Sequence, residues 1–322
     1  IYDERFTRPN DTVKFRAGIN EKDEDVRGRI LELFEKVKHQ YNDVIDVADS
    51  ISLDAMCIKY IVGELQLYSL KDSSRDAVGE AFEIFIGPSL KGAQGQFFTP
   101  RNVVNMVIRM IDPDTDEKIL DPACGSGGFL VESLRYVWGK LEEKATELGW
   151  PEVEIEAEKQ KVAIKNIRGI DKDNFLSKVA KAYLAILGDG RGGVHCENSL
   201  NSFENWSPKT TEDIQPGTFD VIVTNPPFGK KLSIDTTEIL SLYDLGHKWK
   251  QETDGTFVKG ELVDRQPPQL LFIERCFQML KDGGRMGIVL LESIFGMPKY
   301  QYVVNYIQSK AKILAVVTLP ED

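Results

Sequence analysis

Asp220-Val-Ile-Val-Thr224, followed at once by Asn225-Pro226-Pro227-Phe228, is the stretch whose reading decides the fold of this chain. A short β-branched run ended by two prolines reads as a buried strand that stops abruptly, because proline has no N–H to give to a ladder. The loop that remains is rigid. It offers an amide side chain, carbonyl oxygens released from the sheet, and an aromatic ring. Those groups suit the task of holding a planar amino-substituted ring by its N–H₂ edge and its face. An ordinary turn after a strand also accommodates Pro-Pro, so the loop alone leaves both readings open.

Working outward, short apolar runs alternate with amphipathic ones. Strands are predicted at residues 118–120, 166–171, 194–197, 219–224, 285–290 and 313–319. Helices are predicted to start at Phe129, to span 175–187 and to span 270–280, the last stopped by Asp282-Gly283-Gly284. This grammar predicts an α/β fold, an open, mostly parallel sheet with helices on both faces. Residues 141–165, dense in Glu and Lys, read as solvated helix. Residues 230–268 form a long connection with little helical character, carrying Lys230, Lys231, Lys248, Lys250 and Lys259. Connections of that length are lids, binding segments or disordered loops.

Upstream of residue 91 the pattern is helical. Ile30, Leu33, Phe34, Val37, Tyr41, Val44 and Ile45 recur at three- and four-residue steps. A second helix, capped by Ser52, would run through Cys57, Ile58, Ile61, Val62 and Leu65. A third would start near Ser74 and stop at Gly87-Pro88. The expected division is a helical domain at 1–91 and a larger α/β domain at 92–322.

Composition narrows the class. With 322 residues, 42% hydrophobic and 28% charged, the chain can bury a real core. It has no run of eighteen apolar residues and no export signal, so a cytoplasmic protein without a membrane span is expected. Cys57, Cys124, Cys196 and Cys276 are scattered, which argues for reduced thiols and against a structural metal site. The net charge of -11 is unlike that of a chain gripping a polyanion unaided. Any nucleic-acid substrate then needs a local basic patch or a partner subunit for much of its phosphate contact. Opening on Ile1 and closing on a strand-like run, the sequence is expected to be a fragment, incomplete at its C-terminus.

Three strand ends carry chemistry. Asp121-Pro-Ala-Cys-Gly-Ser-Gly-Gly-Phe129 follows a strand and opens a helix, and its glycines allow a tight turn and close approach of a ligand. It is not the dinucleotide fingerprint, since the third glycine would fall at Leu130, and no Lys-Ser/Thr pair follows for a phosphate cradle. The acidic strand end suits a cationic group such as an ammonium. Asp171 ends the next strand, where a carboxylate can take both hydroxyls of a ribose or simply cap the following helix. Asn198, in Glu197-Asn-Ser-Leu200, offers an amide for an adenine edge, although an ordinary turn explains it nearly as well. In chain order these are partners for an ammonium, a ribose and an adenine, the three parts of S-adenosylmethionine.

Gly95-Gln-Phe-Phe-Thr-Pro-Arg101, residues 121–129, Gly169-Ile-Asp171 and Asn225-Pro-Pro-Phe-Gly229 resemble, in order, four motifs of the amino-group DNA methyltransferases. With the helical N-terminal module, the chain is most similar to the modification subunit of type I restriction–modification systems. The resemblance implies a class I S-adenosylmethionine-dependent, Rossmann-like domain that methylates N6 of an adenine flipped out of double-stranded DNA, without metal. The implied partners are a specificity subunit, a restriction subunit and a second modification subunit, in a bacterial or archaeal cytoplasm. Asn225, Pro226, Pro227 and Phe228 would be the catalytic loop. Gln96, Phe98 and Thr99 would hold the methionine end, with Thr99 at its carboxylate. Asp121, Ala123, Cys124, Gly125 and Gly127 would hold the ammonium side. Asp171 and Lys172 would lie at the ribose, Asn198 and Ser199 at the adenine, and Asn225 would also border the cofactor.

Two departures from the family pattern stand out. The family usually has Asp at the position of Asn198, whose amide oxygen can still accept from the adenine N–H₂. It also usually has a second aromatic wall shortly after the strand predicted at 313–319, and the sequence stops at Asp322. Other readings are a methyltransferase for RNA adenine or protein glutamine, and a non-catalytic assembly subunit on the same fold.

Overall fold

The computed structural model describes residues 2–8, 10–42, 44–69, 99–187, 193–228 and 232–319. The chain divides into two compact units, Ile1–Leu90 with Lys181–Gly192, and Lys91–Ala180 with Gly193–Asp322.

The larger unit is built on a five-stranded sheet. Strands β1 (Ile119–Asp121), β2 (Ile167–Asp171), β3 (Val194–Cys196), β4 (Phe219–Thr224) and β7 (Leu280–Ile288) lie in the order β3-β2-β1-β4-β7. Every pairing is parallel, for example Asp121 beside Gly169, Ile170 beside His195, and Thr224 beside Ile288. β1 is buried throughout and β4 at every residue but Asp220, as parallel strands covered on both faces must be. The core includes Leu120, Ile170, Phe219 and Ile222 from the strands and Cys276 and Met279 from the helix Pro268–Met279. The chain lays down β1, β2 and β3 to one side and then crosses to β4 on the other. That reversal opens a crevice at the carboxyl ends of β1 and β4, where ligands bind in sheets of this kind.

Several expectations are corrected. The acidic stretch forms parts of two helices, Gly128–Glu147 and Glu152–Asn166, broken at Gly149 (φ +69°) and Pro151. It is not merely solvated. Leu141, Ala145, Val162 and Ala163 are buried, and the Trp138 indole donates to the Lys159 carbonyl at 2.9 Å. The long connection holds an antiparallel hairpin, β5 (His247–Gln251) with β6 (Phe257–Leu262). Its turn is Asp254-Gly255, with Gly255 at φ +86°, a conformation that costs other residues but not glycine.

Residues 313–319, expected as a last strand, pair with no strand among the described residues, and Leu314, Val316 and Val317 are exposed. A β-branched run is a strand only where a neighbour supplies the ladder. In the smaller unit, helices Asp23–Gln40 and Ala55–Leu65 pack through Val26, Ile30, Ile58 and Val62. The second of these is capped by Asp54, which accepts from the Cys57 N–H at 2.7 Å, and not by Ser52. The third predicted N-terminal helix lies outside the described residues.

Candidate active site

Four predicted site residues stand side by side along the carboxyl edge of the sheet. In spatial order they are Asn198 after β3, Asp171 ending β2, Asp121 ending β1 and Asn225 after β4. The strands end within two residues of one another in register, so the alternation of strands and helices brings together residues more than a hundred positions apart.

Asp121 spans the crevice. Its Oδ1 accepts from the Thr224 hydroxyl at 2.6 Å, across the switch point, and from the Ala123 N–H at 3.0 Å. The side chain is 1% exposed, and no described Lys or Arg pairs with it. Burial pushes its pKa from an ordinary 3.8 up to about 7; the two hydrogen bonds pull it down, and the charge of Asp171 adds to the rise. A buried carboxylate without a protein cation is a ready counter-ion for a cationic ligand.

Asp171 holds the glycine turn. One oxygen accepts the Gly125 N–H at 2.9 Å, and the other accepts the Asp173 N–H at 2.8 Å. Its pKa is raised by burial, against the pull of those two bonds. The turn itself needs glycine. Gly127 sits at φ +92°, and a Cβ there would lie 3.1 Å from the Cβ of Ala180. Gly125, at φ +53°, has nothing within 4 Å of where a Cβ would stand, so its backbone borders open space. Cys124 is buried and its thiol is pushed well up by burial, leaving it an inert part of the turn.

In the turn after β3, Asn198 Oδ1 accepts the Leu200 N–H at 3.0 Å, and the Ser199 hydroxyl donates to the Pro122 carbonyl. Asn198 is therefore fixed by its own turn, with one lone pair of the oxygen and the amide N–H₂ left for a ligand. Lys172 is exposed beside the end of β2.

The catalytic candidate has the most telling geometry. Asn225 Nδ2 donates to the Thr99 hydroxyl oxygen at 2.9 Å, which orients the amide. Its Oδ1 is buried and has no hydrogen-bond partner among the described residues. Pro226 is buried, and its carbonyl accepts no described hydrogen bond, while Pro227 and Phe228 are half-buried. A buried carbonyl oxygen left without a donor costs about 1–3 kcal/mol. Among the described residues nothing meets this acceptor, which leaves it open to an N–H from a ligand. Gln96 and Phe98 lie outside the described residues. Thr99 engages the Asn225 amide, a contact the sequence did not announce.

The sequence profile of the N-6 DNA methylase family matches residues 73–322. The chain belongs to the N-6 DNA methylase family. Among curated members, the type I restriction enzyme EcoEI methylase subunit of Escherichia coli is 26% identical over 290 residues, covering 88% of this chain and 50% of that one. The chain thus spans about half the length of this relative. The fold of this chain resembles that of a modification subunit of a putative type I restriction enzyme from Vibrio vulnificus, with a TM-score of 0.52 at 21% identity, over 78% of this chain and 46% of that one. It also resembles a putative class I S-adenosylmethionine-dependent methyltransferase from Listeria monocytogenes, with a TM-score of 0.50 at 18% identity, over 79% and 65% of the two chains. The Rossmann-like methyltransferase fold expected from the sequence is therefore present in this member of the N-6 DNA methylase family.

Thr224, Trp206, Tyr243 and Arg275 also shape the site, and sequence reasoning passed over all four. Thr224 carried a signal, being the one polar residue closing the apolar run 221–223. Arg275 carried another, since Glu274-Arg275 interrupts a helix otherwise rich in Leu, Phe and Ile. Among the described residues no His, Cys, Asp or Glu cluster is placed to hold a metal, and no helix is long and apolar enough to cross a membrane.

Proposed function

We propose that this chain methylates N6 of an adenine flipped out of double-stranded DNA, as the modification subunit of a type I restriction–modification complex. The observation that carries the reading is the buried Oδ1 of Asn225, oriented by Thr99 and, like the adjoining Pro226 carbonyl, without a hydrogen-bond partner among the described residues. Two acceptors side by side match the two hydrogens of an exocyclic amino group.

The residues fit S-adenosylmethionine. Asp121 offers a buried carboxylate that no described Lys or Arg pairs with, Gly125 borders open space at the crevice, and Asn198 keeps a donor and an acceptor for an adenine edge. Asp171 is assigned to the ribose, with a lone pair still available on each oxygen. When bound, the cofactor supplies an electrophilic methyl group on a sulfonium.

The N6 lone pair of adenine is delocalised into the ring, so the amino group is a poor nucleophile. Asn225 Oδ1 and the Pro226 carbonyl each accept one N6 hydrogen and draw the nitrogen toward a tetrahedral shape, which frees the lone pair. As positive charge develops on N6, the same two oxygens stabilise it without reorganising. Neither amide can keep the surplus N6 proton, which passes to water. Phe228 stacks on the base, worth roughly 1–3 kcal/mol. A base inside a duplex cannot reach such a loop, which is why flipping is required.

The acidic balance fits a shared task. In the hairpin, Lys259 contacts Asp244 at 2.6 Å, Lys248 faces Glu261 at 3.9 Å and Lys250 faces Glu252 at 3.6 Å. These lysines are matched by acidic neighbours and make a poor phosphate track. A specificity subunit and a second modification subunit would supply the remaining DNA contacts, and a restriction subunit would complete the complex. The N-terminal helices, residues 1–91, are assigned to bracing or partner contact and residues 92–322 to catalysis. The setting is a bacterial or archaeal cytoplasm.

Incubation of the protein, supplied with its partner subunits, with methyl-labelled cofactor and DNA, RNA or a release factor tests the reading. Label in DNA as N6-methyladenine is the expected result. Label in RNA or in protein glutamine refutes it in favour of the rival methyltransferases, and absence of cofactor binding refutes it in favour of an assembly subunit.

A further inference from the structure

Three carbonyls in the turn after β3 are each held by a side chain from another part of the larger unit. Trp206 Nε1 donates to Asn198 at 3.0 Å, Tyr243 Oη to Leu200 at 2.9 Å, and Arg275 Nη2 to Asn201 at 2.7 Å. Three external donors on four residues over-determine the path of an otherwise short turn.

Arg275 is an unusual residue to spend on that job. It is 1% exposed, and no carboxylate pairs with it among the described residues. Its Nε and Nη2 both donate to the Tyr243 phenol oxygen, at 2.9 and 2.6 Å, and Nη1 is buried without a partner among the described residues. The guanidinium lies 4.1 Å from the ring centroid of Phe203, 5.2 Å from that of Tyr243 and 5.8 Å from that of Trp206. Burying a cation without an anion is costly, and ring faces return only part of it. A helix needing only to pack would carry Leu or Met here, as it does at Leu270, Leu271 and Met279. The fork does more than pack: two donors on one phenol oxygen polarise its O–H toward the Leu200 carbonyl.

The same helix grips the other side of Tyr243. Glu274, next to Arg275, accepts the N–H groups of Asp244 and Leu245, both at 2.9 Å. Residues 243–245 belong to the connection between β4 and the helix Pro268–Met279, the connection that begins at the Asn225–Phe228 loop. One helix thus fixes that connection and, through it, the turn bearing Asn198.

We propose that Tyr243 and Arg275 are positioning residues that set Asn198 against the adenine of the cofactor and tie that turn to the connection leaving the catalytic loop. The proposal rests on the reading of Asn198 as the adenine partner. Tyr243→Phe keeps the ring and deletes the hydroxyl; because this strands Arg275 Nε, folding of the variant is verified by its urea midpoint before binding is read. Binding of S-adenosylhomocysteine and of S-inosylhomocysteine, in which a 6-oxo group replaces the amino group, is measured by calorimetry on the full chain.

Tyr243→Phe is expected to weaken the adenosyl ligand roughly 3- to 10-fold, one hydrogen bond's worth, and the inosyl ligand less than 2-fold, so the preference between them collapses. In an Asn198→Ala background the same substitution is expected to leave the preference unchanged, because the effect acts through Asn198. An equal loss for both ligands, an unchanged preference, or a full effect without Asn198 overturns the positioning role. If the wild-type chain binds neither ligand, the cofactor reading itself fails, a distinct outcome.

Discussion

Replacing Asp121 with Asn should make the ligand-free protein more stable at neutral pH while weakening its affinity for the cofactor. Asn keeps an oxygen for the Thr224 hydroxyl and the Ala123 N–H, and discards the charge. The folded pKa of Asp121 is raised from an ordinary 3.8 to about 7, mainly by burial. At about 1.4 kcal/mol per pH unit, ionising it inside the folded chain costs about 4 kcal/mol. The direction follows from proton uptake. Below pH 4 the group is protonated in both states. Between about pH 4 and 7 the unfolded chain releases the proton and the folded chain retains it, so stability falls as pH rises. Above pH 7 the loss is complete.

Urea unfolding of both ligand-free proteins at pH 4.5 and 8 is the assay. Asp121→Asn should be stabilising by only about 1 kcal/mol at the lower pH and by up to about 4 kcal/mol at the higher. S-adenosylmethionine binding to the wild type below pH 7 should also release a proton, seen by calorimetry in buffers of different ionisation enthalpy, and the variant should release none. Identical pH dependence of the two proteins refutes the account of Asp121 as an uncompensated buried carboxylate.

Gly127→Ala meets both a backbone angle of φ +92° and a neighbour 3.1 Å away, and should cost about 1–3 kcal/mol, read from the urea midpoint. Unchanged stability would mean the turn relaxes freely. Asp171→Ala strands the N–H groups of Gly125 and Asp173, and should lower cofactor affinity measured by calorimetry along with stability. An unchanged affinity would remove Asp171 from the cofactor site.

The parts of this fold legible in the sequence are those whose signal is local. β4 spans residues 219–224 as read, because a β-branched run stopped by Pro-Pro has one interpretation. The glycine turn and the carboxylates ending β1 and β2 follow from residue type and position. The hairpin His247–Leu262 escaped although Asp254-Gly255, between runs carrying Trp249 and Phe257, is a strong hairpin signal. Its strands are mostly exposed and lysine-rich, which masked the alternation. Residues 313–319 erred in the opposite sense, since local β propensity says nothing about whether a neighbouring strand exists. Hardest to read were the contacts of Thr99 with Asn225 and of Arg275 with Tyr243, 126 and 32 residues apart, which only the assembled sheet edge brings within reach.

The central claim is that Asn225 Oδ1 is the acceptor that activates an adenine amino group. The most direct measurement is the rate of N6-methyladenine formation in DNA by the protein with its partner subunits, compared with Asn225→Ala, alongside cofactor affinity. Losing one preorganised electrostatic partner of the transition state should lower the rate by about 100- to 1,000-fold, with cofactor affinity held within a few-fold. Methylation by Asn225→Ala at the wild-type rate would contradict the claim.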